Sequence, residues 1–136
     1  MDKTIIRLIV AVIMVVLVLL VISMNQNLRI VIAVAIGFPS LILILISRYQ
    51  LGKSFTIMPA AKTLVTSGLY ARIQHPMYVF LDLFLVAVII ILDWPVLMLV
   101  WVFLVIVQML QVRREEKILA ASFGAQYEAY QSRTWF

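Results

Sequence analysis

The order of apolar and polar residues divides the chain into four long apolar runs. Runs rich in Ile, Val, Leu and Met cover about residues 5–22, 28–46, 77–92 and 96–112. At roughly 1.5 Å per residue, a helix of about 20 residues crosses a hydrocarbon core about 30 Å thick, and each run is close to that length. The pattern therefore predicts an all-α fold, a transmembrane bundle of four spans with a cytoplasmic connector and a helical C-terminal tail, in one domain over residues 1–136.

Residues at and within these runs indicate where helices begin, bend and end. Gly37 and Pro39 lie inside the second run, where we expect a kink. Pro76 precedes the third run and suits the first turn of a helix, where its missing N–H costs nothing. Residues 93–95, Asp-Trp-Pro, predict a tight hairpin between the third and fourth spans. Residues 22–25 offer no small-residue cleavage site, so we expect the first run to be a helix and not a removed signal.

Composition and charge narrow the class of protein. With 65% hydrophobic and 12% charged residues, the chain does not fit an ordinary soluble domain. It has no cysteine and a single histidine, which excludes disulfides, thiolate metal sites and a multi-histidine metal cluster. We therefore expect no metal site.

The distribution of basic residues predicts the orientation in the membrane. An even number of spans leaves ten of the eleven Lys and Arg residues on one side, with Arg29 the exception. By the positive-inside rule that side is the cytoplasm, so we expect both termini to be cytoplasmic, in the cytoplasmic membrane of a bacterium or archaeon. The net charge of +5 is then explained by topology, and we expect no nucleic-acid partner.

The polar chemistry is concentrated in two cytoplasmic stretches. Residues 64–78 read Leu-Val-Thr-Ser-Gly-Leu-Tyr-Ala-Arg-Ile-Gln-His-Pro-Met-Tyr, and the tail contains Glu115-Glu116 and then Phe-Gly-Ala-Gln-Tyr-Glu-Ala-Tyr over residues 123–130. These motifs, in this order, resemble the isoprenylcysteine carboxyl methyltransferase and phospholipid methyltransferase family. The resemblance covers residues 51–133. Gln74 stands where the family usually has Arg, and no family motif is assigned to the first two spans.

The resemblance implies S-adenosylmethionine as methyl donor, bound at the cytoplasmic membrane boundary. A donor with a sulfonium, an ammonium, a carboxylate and an adenine needs carboxylates, hydrogen-bond donors and an apolar wall around it. His75 and Tyr78 match the family's cofactor contacts, and one of the two glutamates is expected to hold the ammonium. The candidate cofactor-binding residues are Leu64, Val65, Gly68, Leu69, Tyr70, His75, Pro76, Tyr78, Glu115 and Glu116.

Two further residues are candidates for catalysis. Asp82 lies inside the third span, where an ionised carboxylate is costly and hence a functional candidate, and it falls on the helix face of Tyr78. Gln108, Gln111 and Glu115 form a similar polar stripe on the fourth span, so Asp82 could also make a structural hydrogen bond across the hairpin. Arg133 matches an Arg of the family tail and could steer an anionic substrate.

The predicted activity is methyl transfer to a carboxylate, or an amine, of a lipid-like or prenylated substrate that reaches the site from the bilayer. Alternatives remain at this level. His75 could be an interfacial helix cap, and the Glu115-Glu116 pair a solvated turn. The whole chain could be a small four-helix transporter, or a non-catalytic membrane protein that retains the methyltransferase fold.

Overall fold

The structure, a computed structural model, describes residues 3–52 and 64–135, and within them the fold is all-α as predicted. Part of the connector, with Lys53 and Lys62, lies outside the described residues. The described helices are α1 (Lys3–Ile22), α2 (Gln26–Leu51), α3 (Pro76–Leu92), α4 (Leu97–Phe123) and α5 (Ala125–Arg133), with a 3₁₀ turn over Gly68–Ala71.

Three of these helices, α1, α2 and α4, are long and apolar enough to cross a membrane, and α3 is a shorter apolar helix of 17 residues. The boundaries of α1 and α3 lie within two residues of the prediction. The fourth helix continues beyond the predicted span, which ended at about Val112, and reaches Phe123 in the tail. Residues 113–119 are mostly Arg, Glu, Lys and Leu, which favour helix, so the loss of hydrophobicity after Val112 does not end the helix. The helix ends where Gly124 adopts a φ of 49°.

Helices α2 and α3 pack closely along a stripe of small residues. Ala33, Gly37, Ser40 and Ser47 are the buried small positions of α2, which continues through Pro39 as one helix. A Cβ placed on Gly37 would lie 2.9 Å from the Cβ of Ala87, so only glycine allows this approach. Between apolar helices in a membrane, such small-residue contacts are a main source of association, because they let the two backbones approach.

The buried core lies between α1, α2, α3 and the start of α4. Its buried members are Val18, Ala33, Val86, Ile89, Ile90, Met98 and Trp101. Large apolar side chains on the outer faces stay exposed, for example Val12 and Leu99 at 64% and 72%. This arrangement suits a bundle whose outer surface contacts lipid, not water.

An ion pair fixes the two short turns at one end of the bundle. Arg29, at the start of α2, is buried to 8% exposure, and its Nη1 lies 2.7 Å from Asp93 Oδ1 in the α3–α4 turn. Asp93 ends α3 with a left-handed backbone, φ 55°. At the opposite end, Lys3 Nζ donates to the carbonyl of Gln131 in α5 at 3.1 Å. The polar motifs in residues 64–78 and 113–130 therefore lie at the end of the bundle away from the Arg29–Asp93 pair.

Candidate functional site

His75 lies between the two glutamates of α4. It occupies the residue position just before Pro76 at the start of α3, but its side chain makes no capping hydrogen bond. Its Nδ1 is 3.5 Å from Glu115 Oε2 and its Nε2 is 3.7 Å from Glu116 Oε1, while its ring stacks on Tyr78 at 5.8 Å between centroids. The imidazole thus serves contacts between helices and not the cap of its own helix.

The two glutamates have different partners. Glu115 Oε1 accepts hydrogen bonds from the Tyr78 hydroxyl at 2.8 Å and from Gln111 Nε2 at 3.5 Å. Glu116 Oε1 instead accepts from Arg7 Nη2 at 3.1 Å. Apart from their shared neighbour His75, Glu115 is held by uncharged groups and Glu116 by a cation.

The charge of His75 follows from this setting. Burial by itself lowers the pKa of the imidazole, but the carboxylates of Glu115 and Glu116 outweigh it, and the pKa of His75 lies above its usual value. The 3.7 Å distance from Nε2 to Glu116 is too long for a hydrogen bond, so Glu116 acts through its charge. The protonated imidazole is therefore favoured between the two acids.

Arg7 is a site residue that the sequence analysis treated only as a topological charge. It lies in the second turn of α1, inside the apolar run, and reaches across to Glu116 on α4. A cation inside an apolar span is costly unless it is paired. The same reasoning made Asp82 a functional candidate, and applied to Arg7 it would have identified this residue from the sequence.

Hydrogen bonds to α2 and α5 hold the stretch over residues 64–71 in place. Gln50 Oε1 accepts from the Leu69 N–H at 2.9 Å, and the Tyr130 hydroxyl donates to the Tyr70 carbonyl at 2.7 Å. Gly68 has a φ of 62°, and a Cβ there would collide with the Gln50 amide. Leu64 and Val65 are half-buried. Burial, and then the neighbouring Tyr130 and Glu115, raise the pKa of the Tyr70 hydroxyl. The structure therefore holds this stretch near the helix ends, with Tyr70 close enough to Glu115 to feel its charge.

A cavity of about 200 Å³ opens beside the cluster, between α1, α3 and α4. Arg7, His75 and Tyr78 line it together with Asp82, and most of the remaining wall is apolar. Asp82 Oδ1 accepts a hydrogen bond from Gln108 Nε2 at 3.3 Å, so the two predicted polar stripes do face each other. The remaining lining residues are Ile6, Val10, Ala11, Met14, Val79, Leu83, Trp101, Val105, Gln108, Met109 and Val112.

Several buried polar atoms near the cluster make no hydrogen bond to the described residues. They are both amide atoms of Gln74, Nε2 of His75 and the hydroxyl of Tyr127. Burial, and then the charge of Glu116, raise the pKa of Tyr127, so its proton stays on and can be donated. Buried polar groups are nearly always paired in proteins, so these atoms indicate a polar ligand or water beside the acids.

Arg133 lies apart from these residues. It is exposed near the end of α5, and its Nε donates to the carbonyl of Ala129 at 3.3 Å. The structure does not bring it to the cavity wall, and its assignment to substrate steering stays a prediction.

Comparison with known proteins gives one family. A family model of phospholipid methyltransferases matches residues 28–126, well over half of the chain. No curated protein and no solved structure matches the chain. The match begins in α2, to which no motif was assigned, and ends before Arg133; α1 lies outside it. Membership implies S-adenosylmethionine-dependent methyl transfer in a membrane to a lipid substrate. The chain belongs to the phospholipid methyltransferase family, within the superfamily of membrane methyltransferases that also includes the isoprenylcysteine carboxyl methyltransferases.

Proposed function

We propose that the protein transfers the methyl group of S-adenosylmethionine to a carboxylate or an amine of a lipid-like or prenylated substrate. The observation that carries this proposal is the cluster of His75, Glu115, Glu116 and Arg7 at one end of a largely apolar cavity. Such a site presents charged groups to a polar cofactor and apolar walls to a lipid chain.

The residues present fit the chemistry of the donor. Carboxylates suit its ammonium, and the unpartnered Gln74 amide, His75 Nε2 and Tyr127 hydroxyl suit its carboxylate, hydroxyls and adenine. Tyr78 offers an aromatic face beside His75. The backbone of Leu64, Val65, Gly68, Leu69 and Tyr70 remains the proposed adenine wall, with Pro76 setting the start of α3.

The two glutamates are assigned different tasks. Glu116 is the proposed ligand of the donor's ammonium, because its present partner is itself a cation that another cation can replace. Glu115 orients Tyr78 and His75 through its hydrogen bond and ion pair. When bound, S-adenosylmethionine supplies an electrophilic methyl group on its sulfonium.

The apolar wall of the cavity makes the acceptor atom more reactive by keeping water away from it. Its apolar side chains exclude water, which strengthens electrostatic interactions and leaves an attacking oxygen or nitrogen poorly solvated. A carboxylate acceptor loses no proton, whereas an amine acceptor must release one, and the Asp82 carboxylate on the same wall can accept it. Arg133 is kept as a steering residue at the surface.

The same proposal includes four membrane crossings in one domain. The ion pair between Arg29 and Asp93 supports it, because α3 must reach the level at which α2 begins for the two to meet. A helix of 17 residues is about 25 Å long, which spans most of a hydrocarbon core.

Titration of purified protein with S-adenosylmethionine tests the proposal. The wild type should bind the donor, and His75→Ala should weaken binding by about 1–3 kcal/mol, the range for a buried or charge-assisted hydrogen bond. Arg114→Ala, an exposed basic residue on the same helix end, is the matched control and should bind as the wild type does.

Absence of donor binding by a folded wild type would return the chain to a non-catalytic role. Unchanged affinity in His75→Ala, with only a lowered melting temperature, would remove His75 from the site.

A further inference from the structure

We infer that Arg7 of α1 is exchanged between two partners: the donor's ammonium displaces it from Glu116, and the freed guanidinium then binds the anionic group of a lipid at the mouth of the cavity. This inference rests on the proposed function. It adds a residue outside the matched family region, a chemical class for the lipid and an order of binding.

The displacement of Arg7 from Glu116 follows from the geometry of their ion pair. Arg7 Nη2 and Glu116 Oε1 are 3.1 Å apart, and both side chains are only about one fifth exposed. The same carboxylate already faces His75 as well as Arg7, so a third cation, the ammonium of the donor, competes with the guanidinium of Arg7 for it. A guanidinium that loses its carboxylate in such a place needs another anion, because an unpaired buried charge is costly.

The binding of an anionic lipid to the freed Arg7 follows from the charge of the cluster. With His75 protonated, the positive charges of Arg7, His75 and the neighbouring Lys3 balance the carboxylates of Glu115, Glu116 and Asp82. The donor brings a sulfonium, an ammonium and a carboxylate, hence one net positive charge. An anionic lipid group restores neutrality, whereas a lipid of net positive charge would add to the excess. A phosphate or carboxylate also matches the planar, multiply donating guanidinium.

The face of α1 that lines the cavity indicates what kind of molecule the site can take. Arg7, Val10 and Met14 all contact it, at spacings of three and four residues that place them on one side of the helix. The cation is at the end of this row that is nearer His75, and apolar side chains follow it. The row thus suits an amphiphile with an anionic head and an apolar chain.

The mutual dependence of the two ligands is what the experiment measures. The probe is sinefungin, an analogue of the donor that has a protonated amine in place of the sulfonium. It keeps the ammonium and the net positive charge but has no methyl group to transfer, so the titration stays at equilibrium. Its affinity for the full-length protein is determined in neutral detergent alone, and then with phosphatidylglycerol, oleate, phosphatidylcholine or inorganic phosphate added. We expect phosphatidylglycerol or oleate to raise the affinity about tenfold, a common size for coupling between two sites, and the same factor must appear in the lipid's own affinity.

Substitutions of the two ion-pair residues should change the affinity for the anionic lipid in opposite directions. Arg7→Gln should bind the anionic lipid weakly and show no coupling. Glu116→Gln frees Arg7 before any donor arrives, so it should bind the anionic lipid more tightly than the wild type without donor, a gain that a merely structural ion pair would not produce. Arg114→Gln, the matched control, should keep the wild-type coupling.

The outcomes separate this inference from the proposed function. Wild-type protein that does not bind sinefungin or S-adenosylmethionine would overturn both. Donor binding that is the same with and without anionic lipid, or coupling that persists in Arg7→Gln, would overturn the exchange alone. Equal coupling by inorganic phosphate would show that the site takes a free anion and not a lipid.

Discussion

At the scale of single residues, His75 shows how one side chain can be placed by its sequence neighbours and given its chemistry by distant ones. Pro76 puts it at the start of α3, but the side chain makes no cap there. Its charge depends on Glu115 and Glu116, about forty residues away in the chain and within 3.7 Å in space.

This setting predicts a pH dependence of stability. Because the folded pKa of His75 lies above its unfolded value of about 6.5, the stabilisation is complete below about pH 6.5 and is lost as the pH rises through the folded pKa. The melting temperature of the purified protein should therefore fall as the pH is raised above about 6.5. His75→Gln, which cannot titrate, should give a flatter profile, and since His75 is the only histidine no other imidazole contributes. Identical slopes in the two proteins would contradict the assigned charge.

The adjacent glutamates give a second prediction at this scale. Glu116→Gln should weaken S-adenosylmethionine binding by about 1–3 kcal/mol, because it removes the proposed ammonium ligand. Glu115→Gln should act mainly on thermal stability, because it weakens the contacts to Tyr78 and His75. Calorimetric binding and a melting curve on each variant distinguish them. Equal, small losses in both variants would make the pair a solvated turn.

At the scale of elements, the contact between α2 and α3 determines how closely the site's helices can approach. Gly37 faces Ala87, and a Cβ added at Gly37 would lie 2.9 Å from the Ala87 Cβ, so the two helices would have to shift apart. Since α3 carries His75, Tyr78 and Asp82, this contact sets their distance from the rest of the bundle.

Gly37→Ala should therefore destabilise the protein by about 1–3 kcal/mol, the usual cost of overpacking. Ala87→Gly in the same chain should restore part of the loss, because it removes the Cβ that the new one meets. Thermal unfolding of the single and double variants in detergent measures both effects. As a control, Ala35→Val adds volume on the exposed side of α2 and should change stability little. A double variant no more stable than Gly37→Ala would show that another contact limits the approach.

At the scale of the whole molecule, the two ends of the bundle differ in chemistry. One end holds the Arg29–Asp93 pair and the two short turns, and the other holds the cluster around His75 together with α5. With the positive-inside rule, this arrangement predicts a cytoplasmic site and a hairpin turn that faces the opposite side.

Reporter fusions test that orientation. A reporter at each terminus should give a cytoplasmic signal, and one inserted at Asp93 should give an external signal. A cytoplasmic signal at Asp93, or an external one at the C-terminus, would exclude the four-span topology.

The chain's own sequence was sufficient for the order of the apolar helices and for the family, but it did not indicate where α2 and α4 end. Long apolar runs dictate membrane helices because lipid leaves backbone groups no other partners, and Pro76 suits the first turn of a helix. The motifs also identified His75, Tyr78, Glu115 and Glu116 as one group. What only the tertiary structure decided is how they are paired. Arg7 reaches Glu116 from α1, Tyr78 binds Glu115, and Asp82 meets Gln108, because these contacts depend on how helices distant in sequence are rotated and packed, which local periodicity does not specify.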